Sequence, residues 1–210
     1  MTYESKTFEE IFANEISKIS DPSVKEIVSK VFAHVNEAHK TEPASATGKY
    51  HPLCSTGNGG LVRHTKFVVQ VLVDFLRATP SLEYESDLLI AAAILHDMMK
   101  YPDGADSKTN FGHPTDMANL IRTTCPNDEK ADTIARLVES HQGIWTTARY
   151  APGKHNRAPE KFDEYVLHYA DYVASRPYLN VFFDESGEMI LDTDKRDAII
   201  AERSNNDKSK

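Results

Sequence analysis

The stretch Ile94-Leu95-His96-Asp97-Met98-Met99-Lys100 constrains this chain most. It closes an apolar run, Leu88-Leu89-Ile90-Ala91-Ala92-Ala93, made of strong helix formers. Ser86 or Asp87 can cap the start of that helix, and Pro102 and Gly104 stop its far end. His96 and Asp97 are therefore expected in the last turns of a mostly buried helix. A carboxylate there is costly unless it is paired or bound to a cation. Imidazole beside carboxylate suits a divalent transition metal: Mn, Fe, Ni, Co or Zn.

The other elements follow from periodicity. Apolar residues recur at helical spacing over 7–19 and again after Asp21-Pro22, a cap followed by a proline suited to the first helical position. A Pro-, Ser- and Gly-rich loop, 42–60, holds His51 and Cys54. Further helices are expected over 61–77, 81–101, 114–123, 128–141 and 160–175, the last with Phe162, Val166, Tyr169 and Val173 inward. Residues 180–192 look like a small hairpin turning at 185–187, followed by a short helix at 195–203 and a disordered tail. The expected fold class is all-α with a C-terminal β-hairpin. It divides into an N-terminal helical pair (1–45), a central domain (46–176) and a C-terminal extension (177–210).

Composition narrows the function. A formal net charge of −8 argues against tight binding to long nucleic acid, which needs many basic contacts to phosphate. No apolar run approaches a membrane span, and no apolar stretch follows a basic start as in a signal peptide. A cytoplasmic protein with Cys54 and Cys125 reduced is expected.

Histidines and aspartates gather at helix ends. His64 opens one helix behind Gly59-Gly60, and His96 and Asp97 close another. His113 follows Gly112, His141 ends a helix before Gly143, and Asp171 lies inside a late helix three residues after His168. Ligands offered one per helix are how metal sites in helical bundles are built. Lys100, at i+4 from His96, can reach the edge of such a site and hold a substrate phosphate, with Arg63 and Lys66 as weaker candidates. The segment 142–159 carries Arg149, Lys154 and Arg157 and no acid, together with Trp145 and Tyr150. Basic side chains suit phosphates and aromatic faces suit bases, so a substrate lid is expected there.

These residues carry a resemblance. Gly59-Gly60-Leu61-Val62-Arg63-His64-Thr65, Ala92-Ala93-Ile94-Leu95-His96-Asp97-Met98-Met99-Lys100 and Leu167-His168-Tyr169-Ala170-Asp171 resemble the GGLxxHT, AAxLHDxxK and LHxAD motifs of the HD superfamily of metal-dependent phosphohydrolases. Within it the chain is most similar to the HD domain of bacterial YhaM-type 3′–5′ exoribonucleases, although Gln142 stands where those have a second histidine. The oligonucleotide-binding domain that precedes it in those proteins is not seen here. The resemblance implies an HD-domain helical bundle, with His64, His96, Asp97 and Asp171 as ligands of a first metal. It implies His113 and His141 as ligands of a second metal in some branches, with Asp97 bridging. It implies one or two ions, a metal-activated water, and a small phosphorylated substrate such as a nucleotide or short oligonucleotide. Asp97, Lys100, His113 and His141 are the expected catalytic residues, and Lys100, Arg149, Lys154, Arg157 and Trp145 the expected substrate contacts. Two alternatives stand beside this reading: a mixed-valent diiron oxygenase of the same fold, and a non-catalytic regulatory module.

Overall fold

A computed structural model describes residues 3–45, 47–102, 109–143 and 156–207 of the chain. Nine α-helices run through those residues: α1 Phe8–Ile11, α2 Ala13–Ser17, α3 Pro22–Phe32, α4 Gly60–Ala78, α5 Ser86–Leu95, α6 His113–Thr124, α7 Glu129–Ser140, α8 Phe162–Ala174 and α9 Thr193–Asp207. The helix expected over 7–19 breaks into two at Phe12, which leaves the helical region at ψ 18° while its ring is fully buried against Phe32. Thr7 and Glu10 form a capping box at the start of α1, which closes two otherwise unpaired backbone donors. Asp21 caps α3 with Pro22 behind it, and the stripe Val24, Ile27, Val28, Val31 and Phe32 is buried as its spacing requires.

Helix α5 is buried on every side from Leu89 to Leu95, so its apolar run shows no polar face. It is shorter than the sequence suggests. A 3₁₀ turn, Pro80–Glu85, leads into it, and the helix ends at Leu95 with His96 as its C-cap. Asp87 does not cap it. Its carboxylate accepts the amides of Ser20 and Asp21, 3.0 and 2.7 Å away, and so ties the α2–α3 turn to α5. Helices α4, α7 and α8 pack around α5, and α6 lies along α7. One hydrophobic cluster runs from Tyr3 to Ala174 and includes α1 through α8.

Two expectations change. Helix α8 buries Val166, Leu167, Ala170 and Ala174, while Phe162, Tyr169 and Val173 are exposed. The helix is rotated because its inner face also carries Glu164 and Asp171, whose polar partners lie inside the bundle. The segment 180–192 forms no β-hairpin. Among the described residues it holds a single antiparallel bridge, Phe183 to Met189, around a turn in which Asp184 accepts the amides of Ser186 and Glu188. Two short strands alone are marginal in water. Contacts with the N-terminal segment and α4 hold this turn instead: Gly187 under the Tyr3 ring, and Glu188 on Lys66 at 2.8 Å. Cys54 and Cys125 are free thiols. No helix among the described residues is long and apolar enough to cross a membrane.

Candidate metal centre

Five helices deliver the side chains. His64 sits in the second turn of α4, His96 caps α5 with Asp97 in the turn behind it, His113 opens α6, His141 caps α7, and Asp171 comes from α8. The start of α4 is placed by close backbone approach: a Cβ on Gly60 would lie 2.3 Å from the Ser55 carbonyl oxygen. All four histidines and Asp97 are buried, and the Asp171 side chain is 22% exposed.

Three imidazoles are oriented the same way. The Nδ1–H of His96, His113 and His141 donates to the carbonyl three residues back, Ala93 at 2.7 Å, Asn110 at 2.6 Å and Val138 at 2.7 Å. That hydrogen-bond pattern assigns the tautomer and leaves each Nε2 as a lone pair. These lone pairs converge on the carboxylates. Asp97 Oδ2 lies 3.6 Å from His96 Nε2 and 3.8 Å from His64 Nε2. Its other oxygen, Oδ1, lies 2.8 Å from His113 Nε2 and 3.7 Å from His141 Nε2. Asp171 Oδ1 is 3.0 Å from His64 Nε2 and 3.9 Å from His96 Nε2.

The donor set fits a cation. His96 Nε2 is buried with no hydrogen-bond partner among the described residues. His113 Nε2 and His141 Nε2 face each other at 3.3 Å, both as lone pairs. Facing lone pairs beside a carboxylate repel unless a proton or a cation lies among them, and anchored imidazoles with a free Nε2 are the arrangement of metal ligands. Three overlapping groups bring their ligand atoms within 4.8 Å: His64, His96 and Asp97; His96, His141 and Asp171; Asp97, His113 and His141.

Electrostatics agree with this geometry. Burial pushes the His96 imidazole down to about 4 and lowers His113 as well, so both are neutral at pH 7. Burial would raise Asp97, but Lys100, His96 and His113 outweigh it and hold the carboxyl well below the usual range. Asp171 is lowered against its own burial by His64, His96 and His141.

The remaining candidates divide. Lys100 reaches the cluster and pairs with Asp97 Oδ2 at 2.7 Å. Arg63 turns away, donating to the carbonyls of Cys54, Thr56 and Asn58. Lys66 is buried between Glu15 and Glu188. Arg157 donates to the buried Glu164 carboxylate and to the Arg136 carbonyl, so it holds the entry to α8. Trp145, Arg149, Tyr150 and Lys154 lie outside the described residues. His168 supports the centre indirectly: its Nδ1–H donates to the His141 carbonyl at 2.8 Å, and its ring lies where a Cβ on Gly143 would be. Sequence reasoning gave no role to His51, whose ring packs edge-on against His64 at 4.9 Å. The available signal was its place in the loop that leads directly into Gly59-Gly60 and His64.

The chain is 32% identical over 127 residues to a dihydroneopterin 2′,3′-cyclic phosphate phosphodiesterase of Methanocaldococcus jannaschii, an alignment covering 56% of this chain and 47% of that protein. The chain thus spans about half the length of that relative. No solved structure matches it. The HD domain matches residues 61–176, more than half of the chain, from the start of α4 to just past α8. Since that span encloses His64, His96, Asp97, His113, His141 and Asp171, the chain belongs to the HD-domain family.

Proposed function

We propose that this HD-family chain is a metal-dependent phosphohydrolase that cleaves a small nucleotide-like phosphate ester or diester. The observation that carries the reading is the division of Asp97, with one oxygen toward His64 and His96 and the other toward His113 and His141. His64, His96, Asp97 and Asp171 would hold a first divalent ion, and His113 and His141, sharing Asp97, a second. Mn, Fe, Ni, Co and Zn all suit this ligand set. Such ions supply a water acidic enough to attack phosphorus at neutral pH and neutralise charge on the phosphoryl oxygens. The chain's own groups do the rest. The helices hold the imidazoles pre-oriented, so no reorganisation is needed when substrate arrives. Lys100, an ammonium already at the rim, can exchange part of its contact with Asp97 for a phosphate oxygen. With one ion only, the Nε2 atoms of His113 and His141 stay open, and a proton taken up there would be available to the leaving oxygen.

The substrate class is a phosphodiester bearing a heterocycle: a nucleotide, a cyclic phosphate or a short oligonucleotide. The relative's cyclic phosphate substrate, the likeness to YhaM-type exoribonucleases and the exposed rings of Tyr169 and Tyr172 beside His168 support this. Arg149 and Lys154, with Trp145, would act as a lid over the phosphate. Replacing Arg149 and Lys154 together should raise KM, and an unchanged KM removes the lid.

The test is turnover of 2′,3′-cyclic nucleotides, linear nucleotides and dinucleotides by Mn²⁺-loaded protein, with Asp97→Ala alongside. We expect hydrolysis by the wild type and a loss of about 10³-fold or more in Asp97→Ala, several kcal/mol of transition-state stabilisation. A protein that holds iron, consumes oxygen and hydrolyses none of these would replace the hydrolase reading with the diiron oxygenase.

A further inference from the structure

His51 belongs to no ligand group, yet it is held against the centre. The loop that carries it is stitched to the start of α4. Ala44 donates its amide to the Ser55 carbonyl at 3.0 Å, Gly59 to Thr41 at 2.9 Å, and Leu61 to Glu42 at 2.8 Å. The Arg63 guanidinium binds three carbonyls of the same loop, those of Cys54, Thr56 and Asn58. This scaffold sets the His51 ring against His64 at 4.9 Å, nearly perpendicular, with an interplanar angle of 78°. Its Nδ1 is buried and has no hydrogen-bond partner among the described residues. A protein-bound imidazole normally satisfies both nitrogens, and a buried one left open has a partner to find.

We propose that His51 is a substrate-binding residue of this site, donating a hydrogen bond from its imidazole to a phosphoryl oxygen on the His64 side of the centre. The inference rests on the phosphohydrolase reading. Two observations select this role. The ring packs on His64, a residue of the first ligand group, so it flanks one end of the reacting phosphate. Lys100 approaches the same centre from the end of α5, so an ammonium and an imidazole would grip the phosphate together.

The experiment uses the full-length, Mn²⁺-loaded protein and three variants. His51→Phe keeps a ring to pack on His64 and removes both nitrogens. His51→Asn restores a donor close to the Nδ1 position. His51→Leu stands in should the phenyl ring not be accommodated. Metal content, equilibrium binding of inorganic phosphate by calorimetry, and kcat and KM on a cyclic nucleotide are measured for each. We expect His51→Phe to keep its full metal content while phosphate affinity and kcat/KM fall roughly ten- to a hundredfold, the size expected for one hydrogen bond to a charged group. His51→Asn should recover most of that loss. Unchanged phosphate affinity in His51→Phe overturns the proposal. So does lost metal, which would make His51 a ligand, or a loss that Asn does not rescue, which would make it only a prop for His64. If the wild type itself, holding metal, neither binds phosphate nor hydrolyses any ester, the phosphohydrolase reading has failed and the role of His51 falls with it.

Discussion

The buried polar residues of this chain separate into those with a task at the centre and those without one. His39 has none. It is 2% exposed, its ring meets Phe8 and Phe12 edge-on at 6.0 and 6.2 Å, and neither nitrogen has a hydrogen-bond partner among the described residues. Burial pushes it down to about 3, with Asp97 pulling weakly the other way. The sign of the consequence is fixed. Between pH 6.5 and 3 the unfolded chain binds a proton at this position and the folded one does not, so stability falls as pH drops below 6.5. At pH 5 the loss from this one residue is about 2 kcal/mol. His39→Leu should stabilise the protein by about 1 kcal/mol at pH 7, because it removes two unpaired buried nitrogens. The advantage should grow to about 3 kcal/mol at pH 5 in urea denaturation. An advantage that is the same at both pH values would show that the folded protein takes up a proton at His39. At this scale the sequence revealed the candidate ligands through their company of glycines and helix ends. It could not reveal His39 or His51, since a histidine in a loop or after a helix looks the same whether it is solvated, packed or aimed at a substrate.

Elements are joined by buried charge as well as by apolar faces. Lys66 is 2% exposed and bonds Glu15 of α2 and Glu188 of the C-terminal turn, each at 2.8 Å, with its ammonium 5.6 Å above the Phe12 ring. It therefore ties the N-terminal helices and the C-terminal turn to α4. Glu15 is raised by its burial and held back by Lys66. Breaking such a pair by removing one partner leaves a buried charge exposed to no solvent, at a cost of about 3–5 kcal/mol. Lys66→Met should lower Tm by on the order of 10 °C. The double variant Glu15→Met with Lys66→Met should recover most of it, because Glu188 is 38% exposed and can be solvated by itself. A double variant no better than the single one would mean that Glu188, not Glu15, is the essential partner. None of this was legible beforehand. A lysine two residues after His64 suggested phosphate, and long-range pairing across 122 residues leaves no local pattern. The helices themselves were readable from their apolar spacing, except where polar residues take the inner face, as Glu164 and Asp171 do on α8.

For the molecule as a whole, the centre is also the point at which α4, α5, α6, α7 and α8 meet, so a bound ion should act as a clasp on the bundle. Ligand atoms from five helices do not converge in the unfolded chain, so an ion binds the folded state far better. At free metal a hundredfold above its Kd the gain is about 2.7 kcal/mol, or roughly 5–11 °C in Tm for a chain of this size. A chelator should reverse it. Asp97→Asn supplies the control. It keeps the side-chain volume but removes the charge that Lys100 and both histidine pairs share, so the metal-free Tm should itself fall, and the comparison is the shift that metal produces within each protein. The metal-dependent rise in Tm should then vanish. A rise of the wild-type size in Asp97→Asn would place the ion elsewhere on the protein. A rise of about half would mean that one of the two histidine pairs, with Asp171, can hold an ion without the shared carboxylate, and metal content per chain would tell which. That count, one ion or two, was beyond the sequence. The motifs name the ligand types in order along the chain. Whether their lone pairs meet at one point or two depends on how Asp97 is turned, and that is set by how the five helices pack together.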